Sequence, residues 1–171
     1  MKKLLCSLIL VSYMVGCSSE SEMVDAPASD SAASEAVAMD PIANVGDVVE
    51  VQMTADDRMR YNLESFSAKV GQTVRLTLVN IGKMPKAAMG HNVVFLKPGS
   101  DQNAYVSAAA QRRDSEYIPE SEATFAHTKL LGPGESDTIQ FKVTEAGDYT
   151  FLCSFPAHLY AGMRGIMTVV E

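Results

Sequence analysis

Asp148-Tyr149-Thr150-Phe151-Leu152 runs into Cys153-Ser154-Phe155-Pro156-Ala157-His158-Leu159-Tyr160-Ala161-Gly162-Met163, and Gly165-Ile166-Met167-Thr168-Val169-Val170 runs out of it. Both flanks are rich in β-branched and aromatic residues, the composition of strands. The segment therefore reads as strand, short loop, strand. The loop carries a thiol, an imidazole and a thioether within eleven residues. Those side chains suit a site built on a strand end.

Working outward, the same strand logic recurs from Asp47 onward. Val49, Val51 and Met53 alternate with Glu50 and Gln52, and Val74, Leu76 and Leu78 alternate with Arg75 and Thr77, as half-buried antiparallel strands do. A turn at Val70-Gly71 precedes the second run. Asn92 to Leu96 is a short apolar run closed by Pro98-Gly99. Thr124 to Leu131 and Ser136 to Val143 read as two strands around Gly132-Pro133-Gly134, with Ile139, Phe141 and Val143 pointing one way. Seven or eight short strands with regular turn signals specify an all-β sandwich. One short helix is expected over Ala104 to Arg113, capped by Ser100 or Asp101 and ending at basic Arg112-Arg113.

The amino-terminal region has a different character. Lys2 and Lys3 precede an apolar run, Leu4 to Val15, that is too short to span a bilayer, so residues 1–16 read as an export signal. Met14-Val15-Gly16-Cys17 resembles a bacterial lipobox, which implies cleavage before Cys17, lipidation of that cysteine and stable membrane anchoring. The neutral Ser18 resembles the pattern that sorts to the outer membrane. Residues 17–45 form a lipidated cysteine and an acidic tether with Glu20, Glu22, Asp25, Asp30, Glu35 and Asp40 but no Lys or Arg. Such composition cannot bury a core, so the tether is expected to be disordered.

Residues 46–171 are then the folded domain, with 15 acids and 12 bases among them. The chain as a whole carries a formal charge of −7 and has no basic block, which argues against a nucleic-acid partner. Of the three cysteines, Cys6 and Cys17 belong to the amino-terminal region and Cys153 stands alone in the domain. No disulfide framework is possible there, so Cys153 is a buried thiol, a nucleophile or a metal ligand.

His158 and Met163 on the same loop, with Met89-Gly90-His91-Asn92 elsewhere in the chain, favour the ligand. Two imidazoles and a thiolate in a trigonal set suit both oxidation states of copper, with a thioether as a weak axial donor. Cupric and cuprous ions differ in preferred geometry, and such a set moves little between them. The candidate ligands are His91, Cys153, His158 and Met163. Phe155, Pro156, Leu159 and Ala161 would surround the ion with apolar groups, favouring the less charged reduced site. Asn92 is placed to bridge to the Cys153 loop by side-chain hydrogen bonds.

Met89-Gly90-His91-Asn92, Ala126-His127-Thr128-Lys129-Leu130-Leu131-Gly132, Cys153-Ser154-Phe155-Pro156 with His158, Met59-Arg60-Tyr61-Asn62 and Met84-Pro85-Lys86 together resemble azurin, a bacterial blue copper protein. The similarity runs over residues 47–171. It implies a Greek-key β-sandwich, one type 1 copper per chain and single-electron transfer between periplasmic or envelope redox proteins. It also implies ligation by His91, Cys153 and His158, with Met163 and the Gly90 backbone carbonyl as weak axial donors. Met59, Met84, Met89 and Ala157 fall at the apolar docking patch around an exposed His158, where redox proteins such as c-type cytochromes would bind a monomer.

The resemblance departs at four points. Four residues separate His158 from Met163, as in plastocyanin and auracyanin, where azurin has three. Azurin's disulfide is missing, and its positions fall near Val49 and Gly71. Asn80 replaces an internal titrating histidine, so no protonation switch is expected there, and Val93 takes the place of a buried tryptophan. His127 reads as an exposed strand residue outside the site.

Two other functions use the same residues. A copper-handling lipoprotein would bind the ion without redox turnover. An enzyme would use Cys153 as nucleophile and His158 as base, but no third residue orients them and no second histidine cluster exists, so the chain reads as a carrier and not as an enzyme. The expected location is the bacterial cell envelope, at the outer membrane facing the periplasm.

Overall fold

The computed structural model describes residues 41–171. The expected signal sequence, Cys17 and the expected tether up to residue 40 lie outside the described residues. Ten strands form two sheets: β1 (Ile42–Val45), β2 (Val48–Asp56), β3 (Arg60–Tyr61), β4 (Ser65–Lys69), β5 (Thr73–Asn80), β6 (Val94–Leu96), β7 (Thr124–His127), β8 (Ser136–Lys142), β9 (Gly147–Leu152) and β10 (Arg164–Val170). One sheet has the order β1-β2-β5-β8, with β3 pairing to β2, and the other β4-β10-β9-β6-β7. The β-sandwich is therefore as expected.

Alternation explains the core. In β2, Val49, Val51, Met53 and Ala55 are buried, and in β5 Val74, Leu76 and Leu78 are buried, all on the inner face. Phe66, Phe95, Phe151, Met167 and Val169 meet them from the other sheet. Each of these side chains larger than alanine contributes roughly 1.5–3 kcal/mol of transfer free energy.

Four local expectations are corrected. β2 and β5 pair in parallel, not antiparallel, with Val48 opposite Thr73 and Ala55 opposite Asn80. A parallel pair needs a long connection, and the chain makes it by crossing to the other sheet to form β4. β7 and β8 are not a hairpin but belong to different sheets. The turn between them is drawn across, because Gly134 donates to the Asn80 carbonyl at 2.8 Å and Leu131 pairs with His91. β1 lies inside the segment read as tether, where it pairs antiparallel with β2. Finally, the expected helix is α2 (Gln102–Ala109), following the four-residue α1 (Lys86–Met89).

Asp101 caps α2 by accepting from the amides of Asn103 and Ala104, at 2.8 and 3.1 Å. The helix stops short of Arg113, and Arg113–Ser115 forms a 3-10 turn. Glu116 and Tyr117 then adopt left-handed backbone angles, φ 54° and 61°, which turn the chain back onto the sandwich. Tyr117 is buried as a result.

Strand directions place the end of β2, the end of β5, the end of β9 and the start of β10 at one pole. The loop from Cys153 to Met163 closes that pole. The β1–β2 turn and the end of β10 lie at the other.

Candidate metal centre

The site is assembled from two connections. Pro85 precedes α1, and α1 delivers Gly90 and His91 to the pole. Space fixes the glycine: a Cβ at position 90 would lie 2.7 Å from the Lys86 carbonyl oxygen and 3.0 Å from Leu130 Cγ. His91 and Leu131 then exchange two backbone hydrogen bonds, at 3.0 and 2.7 Å, which hold the histidine outside any named strand.

Cys153 follows directly on β9, and the ligand loop folds on itself. The Cys153 amide donates to the Met163 carbonyl at 3.1 Å, the Met163 amide to the His158 carbonyl at 3.0 Å, and the His158 amide to the Phe155 carbonyl at 3.2 Å. Ala157 turns the loop with φ 71°, a conformation that costs a residue with a Cβ about 1–2 kcal/mol. At Gly162, φ is 93° and the Arg60 guanidinium packs where a side chain would sit.

These connections bring His91, Cys153 and His158 together, one donor atom from each lying within 4.8 Å of the others, and all three are buried. Cys153 Sγ is 3.4 Å from His158 Nδ1. The two imidazole rings have centroids 5.0 Å apart and planes inclined at 44°. Both ring nitrogens of His91 are buried without a hydrogen-bond partner. A buried polar atom left unpaired costs roughly 1–3 kcal/mol, so a coordination bond is the natural reason for tolerating it. The donor set of two imidazoles and a thiol fits a soft or borderline metal ion.

Burial sets the protonation states. It lowers His91 below the ordinary imidazole range, an effect partly offset by Asp56 and Asp57. Burial and the neighbouring His91 push His158 down to about 4. Both rings are therefore neutral and able to coordinate. Burial raises the Cys153 thiol to about 11, against the opposing influence of the Asn92 and Phe155 amides and the Tyr61 hydroxyl. Metal binding must displace that thiol proton.

Asn92 makes the bridge expected of it. Its side chain bonds both the amide and the hydroxyl of Ser154, while the Tyr61 hydroxyl donates to its backbone carbonyl. Tyr117 stacks edge-on against Phe155 at 5.0 Å, and Phe155 covers His158 at 4.7 Å.

Met163 is fully buried at the far end of the loop. Asn80 is buried and satisfied, donating to the Leu131 carbonyl at 3.0 Å and accepting from the Gly82 amide at 2.9 Å. Val93 is buried, and His127 is exposed and outside the site. One expectation changes: His158 is only 2% exposed, so it lies just beneath the surface instead of on it. Pro156 and Ala157 are the exposed residues of its loop turn. Of the apolar patch, Met84 is 41% exposed, Met59 and Met89 are half-buried, and Tyr160, missed from sequence, is 69% exposed. Tyr61 and Tyr117 were also missed, because isolated aromatics in a two-residue strand and a turn carry no periodic signal.

Comparison with known proteins agrees with this geometry. Residues 47–170 match the family described as copper binding proteins, plastocyanin/azurin family. The chain is 35% identical over 121 residues to the azurin of Alcaligenes faecalis, covering 68% of this chain and 94% of that azurin. Among solved structures, the azurin iso-2 of Methylomonas sp. strain J is similar with a TM-score of 0.64 and 30% identity, covering 71% of this chain and 98% of that one. The dithionite-reduced auracyanin of Roseiflexus castenholzii is similar with a TM-score of 0.61 and 29% identity, covering 71% and 97%.

Proposed function

Since the chain belongs to the plastocyanin/azurin family of copper-binding proteins, we propose that it is a type 1 copper electron carrier, ligated by His91, Cys153 and His158, that shuttles single electrons between redox proteins of the bacterial envelope. The observation that carries this reading is the buried trio of donors with both His91 nitrogens unpartnered. Buried Met163 from the same loop and the carbonyl of Gly90 would be further, weaker donors to the ion.

A bound copper ion supplies a one-electron couple. The protein's own groups prepare for it. His91 and His158 are neutral without any proton having to leave, because burial has already removed it. Cys153 alone releases a proton on binding, and the amides of Asn92 and Phe155 then support its sulfur. The Asn92–Ser154 bridge fixes the separation of the two connections, so the donors need not move when the charge changes. Phe155, Leu159 and Met163 exclude water from the pocket. His158 is the least buried of the three donors and would be the way out for an electron. A c-type cytochrome docked on Met59, Met84, Met89 and Ala157 would accept it there.

Purified protein loaded with copper should show an intense visible charge-transfer band and the narrow copper hyperfine splitting of a type 1 site. A colourless adduct would refute the assignment. Copper binding without electron exchange with a cytochrome would favour copper handling instead. The anchor is tested separately. Cys17→Ser should move the protein from the membrane fraction to the soluble one, and continued pelleting would refute lipidation at that residue.

A further inference from the structure

The charges of the domain are unevenly placed about its long axis. At the copper pole, Arg60 packs on Gly162 of the ligand loop, and Lys83 stands beside exposed Met84. Arg113 lines one depression with Lys86, Ala87, Tyr117 and Phe155, Arg112 lies at the same turn, and Arg164 follows Met163. None of Arg60, Lys83, Arg112, Arg113 and Arg164 has an ion-pair partner among the described residues.

Several acids of that pole are held by ion pairs or hydrogen bonds. Asp56 pairs with Arg58 at 2.6 Å, and Asp57 accepts from the amides of Lys83 and Met84 at 2.8 and 3.2 Å. Glu116 and Glu135 both face Lys86 at 3.6 Å, and Asp137 faces Lys129 at 4.0 Å. Asp57, Glu64 and Asp114 have no ion-pair partner among the described residues, and Glu116 and Glu135 share one lysine. At the opposite pole, exposed Asp47, Glu145, Asp148 and Glu171 outnumber Lys69 and Lys142. Unpaired cations at the copper pole therefore outnumber unpaired acids, five to three, in a chain whose net charge is −7.

We propose that the copper pole docks a redox protein whose own exposed centre is ringed by acidic side chains. The proposal rests on the electron-transfer reading above. Charge complementarity orients the encounter, bringing the partner to the His158 end although the chain as a whole would repel it. The apolar patch then closes the contact, and the free guanidinium and ammonium groups select the acidic partner over a basic one.

The test uses the reduced, copper-loaded full chain with two inorganic oxidants, anionic hexacyanoferrate(III) and cationic tris(phenanthroline)cobalt(III). The rate with the anion should fall about fivefold as ionic strength rises from about 10 mM to about 200 mM, and the rate with the cation should not fall. Lys83→Glu with Arg113→Glu should slow the anion about tenfold at low salt and leave the visible spectrum unchanged. Poly-glutamate should compete with the anion, and poly-lysine should not. A rate with the anion that rises with salt, as the net charge alone dictates, would overturn the proposal, as would an anion rate that ignores the double substitution. No exchange with either oxidant would instead remove the electron-transfer reading, and the proposal with it.

Discussion

Asn92 and Ser154, 62 residues apart in sequence, hold each other by a reciprocal pair of hydrogen bonds, Ser154 amide to Asn92 Oδ1 at 2.9 Å and Asn92 Nδ2 to Ser154 Oγ at 2.9 Å. Both residues are buried, and each is the immediate neighbour of a ligand. Asn92→Ala strands the Ser154 amide without water, so the metal-free protein should lose about 2–4 kcal/mol. Ser154→Ala removes a hydroxyl and keeps the amide bond, and should cost about 1 kcal/mol. Urea unfolding of both variants and their combination measures the coupling, and equal costs would show that the amide bond is not the stronger half.

His91 carries the cost of being ready for a metal. Replacing its ring by a side chain with no polar atoms, His91→Leu, should stabilise the metal-free fold by about 1 kcal/mol and abolish copper binding. Denaturation without metal, beside a copper titration, checks both halves. A destabilised variant would mean that ring packing outweighs the unpaired nitrogens.

These two relationships were unequally visible in the sequence. Cys153, His158 and His91 could be picked out because thiol and imidazole donors are rare in this domain, and the Asn92 bridge followed from its place beside a ligand. The inner faces of β2 and β5 were equally plain, since alternation reports burial directly. Their parallel pairing was not, because alternation says which face is buried and nothing about the direction of the neighbouring strand. The Gly132-Pro133-Gly134 turn marked a reversal correctly, but backbone bonds to Asn80 and His91 decide which sheet receives each strand. β1 was hidden in a polar tract, where four residues gain their order from pairing with β2 and not from their own composition.

The metal-free fold should depend on pH in two windows. Folded His158 stays neutral down to about 4, whereas an unfolded imidazole titrates near 6.5. Between these values the unfolded chain binds more protons, so stability rises with pH up to about 6.5. Folded Cys153 holds its proton up to about 11 against 9.0 for an ordinary thiol, so the unfolded chain ionises first and stability falls between those values. Denaturation midpoints across the range test both slopes. In the copper form, the neutral and satisfied Asn80 offers nothing to titrate, and the potential should be flat from about pH 5 to about pH 8.

Met163→Gln should retain copper and colour but lower the reduction potential, because a harder oxygen donor favours the oxidised ion. Protein-film voltammetry reads the change. An unaltered potential would show that Met163 is not an effective ligand.

Ala157 holds a left-handed backbone next to His158 with a Cβ in place. Ala157→Gly relieves that strain but gives the unfolded chain more freedom, for a net gain of about 0.5–1 kcal/mol. The visible spectrum should not change. A loss of stability on thermal unfolding would indicate that the methyl group's contacts matter more than its backbone.

β1 has a mechanical meaning for the domain. Its four residues pair with the outer edge of β2, and the turn at Gly46-Asp47 lies at the end away from the incoming chain. A pull on the amino terminus therefore opens the hairpin one rung at a time from Ile42, instead of shearing all its bonds together. Residues 42–47 would pay out roughly 20 Å of chain at about 3.3 Å per residue before β2 bore any load. Tension applied at the amino-terminal end of β1 would be spent in that hairpin before it could reach His91, Cys153 and His158.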